Sequence, residues 1–130
     1  MGNPRQPYVG PTVTAHGGQF LQAEALIPAG GSISPAIDLL TSRLNSIWIP
    51  PGWTAASLSF QSSPDGITFG EMNDDTGTAI TIVVNAAQTF IVLKSPSMWL
   101  GTRYLKVRSG TVGSPVTQLA DCNIILFSLP

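Results

Sequence analysis

One cysteine, one histidine, six basic and seven acidic residues in a chain of 130 leave few groups with which to do chemistry. The single cysteine, Cys122, excludes an intrachain disulfide framework. It lies in an apolar terminal run, Cys122 to Phe127, where a buried structural thiol is expected. With only His16 beside it, no zinc site can be assembled from nitrogen and sulfur ligands. His16 lies in a glycine-rich stretch that supplies no packing to fix a Ser-His-Asp arrangement. Glu24, Asp38 and Glu71 are acids that nothing in the sequence brings into a glycosidase-like pair. Gly17-Gly18 and Gly30-Gly31 lack the spacing and following helix of a phosphate-cradling loop. The expectation is a protein that is not an enzyme and uses no cofactor and no metal.

Charge is equally sparse. Charged residues make up 10%, against roughly 25% in an ordinary soluble domain. A net charge of −1 gives no electrostatic footprint for nucleic acid. No apolar run approaches the roughly 20 residues of a membrane-spanning helix. The N-terminus, MGNPRQPYVGP, has no apolar core of a secretory leader, which predicts a protein made in the cytoplasm and soluble or assembled afterwards. Hydrophobic residues reach 43% and mean hydropathy is +0.24. Free monomers carry more charge to stay dispersed, so this balance points to a surface partly covered by another protein, and a homo-oligomer is expected.

What the chain does have is strand signal. From Ser57 to Ser62, Leu58 and Phe60 alternate with serine and glutamine, the period of a strand with one buried face. Pro64-Asp65-Gly66 follows as a hairpin turn, proline presetting φ and glycine accepting a positive φ. A second arm of the hairpin is expected over Ile67 to Met72. Further strands are expected over Phe20 to Ile27, Arg43 to Ile49, Thr78 to Val84, Thr89 to Leu93, Arg103 to Ser109 and Ala120 to Leu129. Ile33 to Leu40 reads as either a helical turn or a strand. Seven to nine short strands without a long helix predict an all-β fold, an antiparallel β-sandwich or jelly roll. Residues 1–18 are rich in proline and glycine and read as an extended arm outside a single domain of residues 19–130. Tyr8 and Val9 would anchor that arm on a neighbouring subunit.

Four surface features are candidate sites. Asn73-Asp74-Asp75 with Thr76 and Gly77 is the one acidic cluster; it does not match an EF-hand spacing, and a turn with solvated carboxylates is the plain reading. Lys106 and Arg108 fall on one strand face near Arg103, which predicts a small, solvated basic spot. Trp48 faces opposite to Ile47 and Ile49. Trp53, after Pro-Pro-Gly, and Trp99, in a loop, are the tryptophans expected at a partner interface, with at least one of the three in the core.

The segments GSISPAIDL, IWIPPGWTAASLSFQSSPDGITF, GTRYLKVRSGT and PVTQLADCNIIL resemble small virion proteins of tailed bacteriophages. The likeness covers most of the chain beyond the arm. It implies a β-sandwich that decorates the capsid or builds part of the tail, in the virion. The implied partner is the major capsid protein or another virion protein, with neither nucleic acid nor membrane. The alternative it carries is a tail, baseplate or connector module that binds host glycan through Trp99 or residues 73–77. The run from Ser63 to Phe69 also resembles the Asp-box hairpin of sialidase-type propellers. It lacks the residue usually found between Asp and Gly, has Phe69 where tryptophan is common, and occurs once, so only turn geometry carries over.

Overall fold

The computed structural model describes residues 14–16, 20–94, 99 and 101–130. The chain is all-β in two antiparallel sheets, a β-sandwich. The first sheet runs in the order β1 (Thr14–His16), β2 (Phe20–Ile27), β11 (Cys122–Leu129), β4 (Arg43–Ile49), β8 (Thr89–Val92). The second runs β10 (Ser114–Pro115), β9 (Tyr104–Thr111), β5 (Leu58–Ser63), β6 (Gly70–Glu71). Two short strands complete it: β3 (Ile37–Asp38) pairs with β9, and β7 (Thr81–Ile82) pairs with β5. From β2 to β5 each strand lies on the opposite sheet from the one before, so no isolated hairpin has to bury its own face.

Alternation decides what goes inside. In β11, Cys122, Ile124, Leu126 and Ser128 are buried while the residues between them are half-buried. Ala23, Ala25 and Ile27 of β2 and Ile47 and Ile49 of β4 point the same way. Leu58 and Phe60 of β5 and Leu105 and Val107 of β9 face them from the second sheet. Burying each of the larger side chains contributes about 1.5–3 kcal/mol.

Beyond the strand cores, two polar devices fix the loops. The fully buried Gln118 accepts from the Thr54 N–H at 2.8 Å and donates to the Thr54 carbonyl at 3.0 Å and the Ser109 hydroxyl at 2.7 Å. A buried amide with all its bonds made ties the β4–β5 loop to the segment before β11. In the β5–β6 turn, Asp65 accepts from the N–H groups of Ile67 and Thr68 and from the Ser63 hydroxyl, at 2.8–3.0 Å. Gly66 there has φ of 79° and lies against the Tyr104 ring.

Several expectations change. Thr14–His16, inside the stretch read as an arm, pair with β2 and so belong to the sheet. The ambiguous run from Ile33 to Leu40 holds a two-residue strand, because Ile37 pairs with Leu105 and Leu40 has a positive φ. The expected strand from Ile67 to Met72 shrinks to Gly70–Glu71, since Asp65 binds the Ile67 and Thr68 amides that would otherwise pair. Residues 1–13, with Tyr8 and Val9, lie outside the described residues.

Candidate functional site: an apolar outer sheet face

Antiparallel sheets of a sandwich bury one face and turn the other to water, so outward positions are normally polar. The first sheet departs from this. Its outward positions on β11 are Asn123, Ile125, Phe127 and Leu129. Across from them β4 presents Trp48 opposite Ile125, and β8 presents Phe90 opposite Trp48 and Val92 opposite Ser46. β2 adds Phe20 and Leu26.

The rings form a continuous aromatic row. Phe20 meets Phe127 edge-on with centroids 5.6 Å apart, Phe127 lies 5.4 Å from Phe90, and Phe90 meets Trp48 edge-on at 6.4 Å. Such spacings are those of favourable aromatic pairs. Phe90 and Val92 are nonetheless 55% and 69% exposed. Glu24 of β2 and Arg43 of β4 are the only charged residues on the described strands of this face, and neither forms an ion pair among the described residues.

A groove of about 410 Å³ runs between Phe20, Phe90 and Phe127, with Asn45 and Ser46 in its wall. Its polar wall has a backbone cause. Ser46 pairs with Phe127 and Leu44 with Ser128, so Asn45 is the extra residue of a β-bulge, a device that re-aims a side chain. The Asn45 side-chain amide has no hydrogen-bond partner among the described residues. At the far end of the same face, Asn123 Oδ1 is buried without a hydrogen-bond partner among the described residues.

The tryptophans sort differently from expectation. Trp53 and Trp99, expected at a partner interface, are core residues, 7% and 2% exposed. Trp53 donates its indole N–H to the Ala56 carbonyl at 3.2 Å, and Trp99 packs edge-on against Phe60 with centroids 5.0 Å apart. Trp48 is the tryptophan on the outer face. Its strand alternation with Ile47 and Ile49 was the signal; the sheet pairing that makes its outward neighbours aromatic was not readable from one strand.

The outer face of the second sheet is polar and internally satisfied. Arg108 is 6% exposed, not part of a solvated basic spot: it donates to both Glu71 carboxylate oxygens, at 2.8 and 2.7 Å, and to the Ser59 hydroxyl. Gln61 donates to the same carboxylate, and the Arg108 bonds, above all, hold the Glu71 carboxyl below the usual range. Lys106 lies 4.4 Å over the Phe69 ring, and Arg103 is paired bidentately with Asp38. Register explains it: Ser59 opposes Arg108, and Gln61 opposes both Lys106 and Glu71.

A cleft of about 620 Å³ lies between Glu71, Asp74, Asp75 and Ile80. Its carboxylates are largely committed: Asp74 Oδ1 accepts from the Thr76 N–H and hydroxyl and from the Thr78 N–H, which lowers its pKa. No group of three metal-ligating side chains converges among the described residues. The residues lining the cleft include no aromatic ring on which a sugar could stack. Cys122 is buried, and desolvation pushes its thiol pKa up, the opposite of what a nucleophile requires.

Comparison with protein-family models, with curated proteins and with solved structures gives no match.

Proposed function

We propose that this chain is a non-enzymatic structural subunit of a bacteriophage virion, a decoration or cement protein that binds the capsid shell and stabilises it. The observation that carries the reading is the first sheet, apolar on both faces. Its inner face is covered by the second sheet. Its outer face presents Trp48, Phe90, Phe127 and Val92 with one acid and one base among the described strand residues. An outward apolar row of half-buried rings with Phe90 and Val92 more than half exposed marks an interaction site, and the low charge of the whole chain fits a subunit partly covered by neighbours. The strand order supports the jelly-roll form: the first long strand, β2, lies beside the last, β11, and successive strands mostly swap sheets. Jelly rolls serve in capsid shells and in lectins, so the fold narrows the field without assigning the role.

A tail, baseplate or connector module is the second reading, and the cleft beside residues 73–77 is where a glycan would have to bind. Buried Trp99 takes no part in such binding. Copy number per particle, from quantitative mass spectrometry of purified virions, separates the readings. Hundreds of copies tracking the major capsid protein support decoration. A few to a few dozen place the chain in the tail or connector, and none would sink both.

A further inference from the structure

We propose that the groove between Phe20, Phe90 and Phe127 is filled by the proline-rich segment Pro4 to Pro11 of a second copy of this chain. The inference rests on the assembly reading above and names the partner of that face.

Chemistry makes the match. Proline-rich segments dock in aromatic-lined grooves because a polyproline II helix offers flat rings and free carbonyls, already extended and so cheap to order. That helix repeats every three residues. Docked in that form, Pro4, Pro7 and Gly10 would share one face, and Arg5, Tyr8 and Pro11 the next. The groove supplies three phenylalanine rings, and the bulge supplies Asn45, whose amide is free among the described residues to donate to a carbonyl. Arg5 is the one charged side chain in the segment; among the described residues, Glu24 is the one acid on the strands of the receiving face, and no ion pair uses it.

Direction favours a neighbour over the chain's own sheet, and length permits the reach. Thr14 pairs with Gln22 and His16 with Phe20, so β1 is entered from the Leu26 side of the sheet edge. The groove lies at the other end, beside Phe20 and Leu129. Thirteen residues precede Thr14, and fully extended they reach up to ~45 Å. The five strands span only ~19 Å, at ~4.8 Å per spacing. A segment that joins β1 at the end remote from its own groove, and long enough to reach past the sheet edge, is suited to a neighbour's. Reciprocal exchange closes into a symmetric oligomer.

Light scattering during gel filtration tests this, on the full chain and on a variant starting at Thr14. We expect the full chain to be oligomeric at tens of micromolar and the truncated chain to be a monomer with unchanged circular dichroism. A synthetic peptide of residues 1–13 should bind the truncated chain and shield Trp48 from acrylamide, since Trp53 and Trp99 are already buried. Phe90→Glu should abolish both effects. Should truncation prevent folding, the full-length Pro7→Gly, Tyr8→Ser variant reads the same contact, with at least tenfold weaker association expected. A full chain that stays monomeric overturns the proposal, whether or not its Trp48 is shielded by its own segment. An oligomer that survives truncation overturns it too, since the faces would then stack directly. Oligomers in a protein absent from virions would sink the virion reading alone; virion incorporation of a strictly monomeric chain would sink this one alone.

Discussion

Arg108 and Glu71 face each other on the outer side of the second sheet, guanidinium fork to carboxylate, at 2.8 and 2.7 Å. The arginine is buried and the glutamate about a third exposed, so the pair is unequal. Removing the carboxylate strands a desolvated cation, whereas removing both members leaves only a gap on a polar face. We expect Glu71→Ala to cost about 2 kcal/mol. Arg108→Met in the Glu71→Ala background should recover part of that loss. Urea denaturation of the two single variants and the double variant closes the cycle; additive losses would show that the pair is not coupled.

The β9–β10 turn depends on Gly110. Its φ is 90°, and a Cβ there would stand 2.5 Å from the Ser114 carbonyl oxygen and 2.7 Å from the Val116 nitrogen. Both obstacles are backbone and cannot rotate away. Gly110→Ala is therefore expected to cost about 3 kcal/mol. Gly52→Ala, at φ of 81° with open space around it, should cost only about 1 kcal/mol. Thermal melts of the two variants side by side check the difference, and equal losses would refute the steric argument.

The contrast between these glycines shows what a sequence can and cannot carry. Turn chemistry is local, so Pro64-Asp65-Gly66 was legible as a turn, and the spans Phe20 to Ile27 and Arg43 to Ile49 were legible from alternation and coincide with β2 and β4. Pairing is not local. That Ser59 would oppose Arg108, or that Phe90 would stand beside Trp48, depends on register between strands tens of residues apart. The candidate site suffered most. Trp48 was readable as outward on its own strand, but an apolar outer face is a property of β2, β11, β4 and β8 together. Trp53 and Trp99 looked like surface anchors because they stand beside turn residues, yet they cap the core.

Acid should weaken the fold through four carboxylates. Asp65 is held down to about 2 by the Thr68 and Ile67 N–H groups and the Ser63 hydroxyl. Hydrogen bonds from Arg108, Arg103 and the Thr76 hydroxyl lower Glu71, Asp38 and Asp74. A carboxylate with a lowered native pKa adds stability that is complete above its unfolded value of about 4 and is lost as pH falls through the native value. The urea midpoint should thus hold steady from about pH 7 to 5 and decline between about 4 and 2. Asp65→Asn should make that decline shallower. An unchanged slope in this variant would mean that the turn does not hold its carboxylate.

Val92 offers the cleanest separation of interface from fold. It is 69% exposed on β8, beside the aromatic row but outside the core, and it opposes Ser46 rather than another apolar residue. A charge placed there meets water in the free protein, so Val92→Glu should change stability by no more than about 0.5 kcal/mol. Against a covering subunit the same carboxylate would be desolvated without a partner, which is costly. We therefore expect Val92→Glu to fold with an unchanged melting temperature yet enter particles at a small fraction of the wild-type copy number. Ile67→Glu, 83% exposed in the β5–β6 turn of the other sheet, controls for added charge. An equal loss in that variant would assign the effect to electrostatics rather than to an apolar contact at Val92. Normal incorporation of Val92→Glu would leave this corner of the sheet outside the interface, and the docking surface would contract to the groove around Phe127.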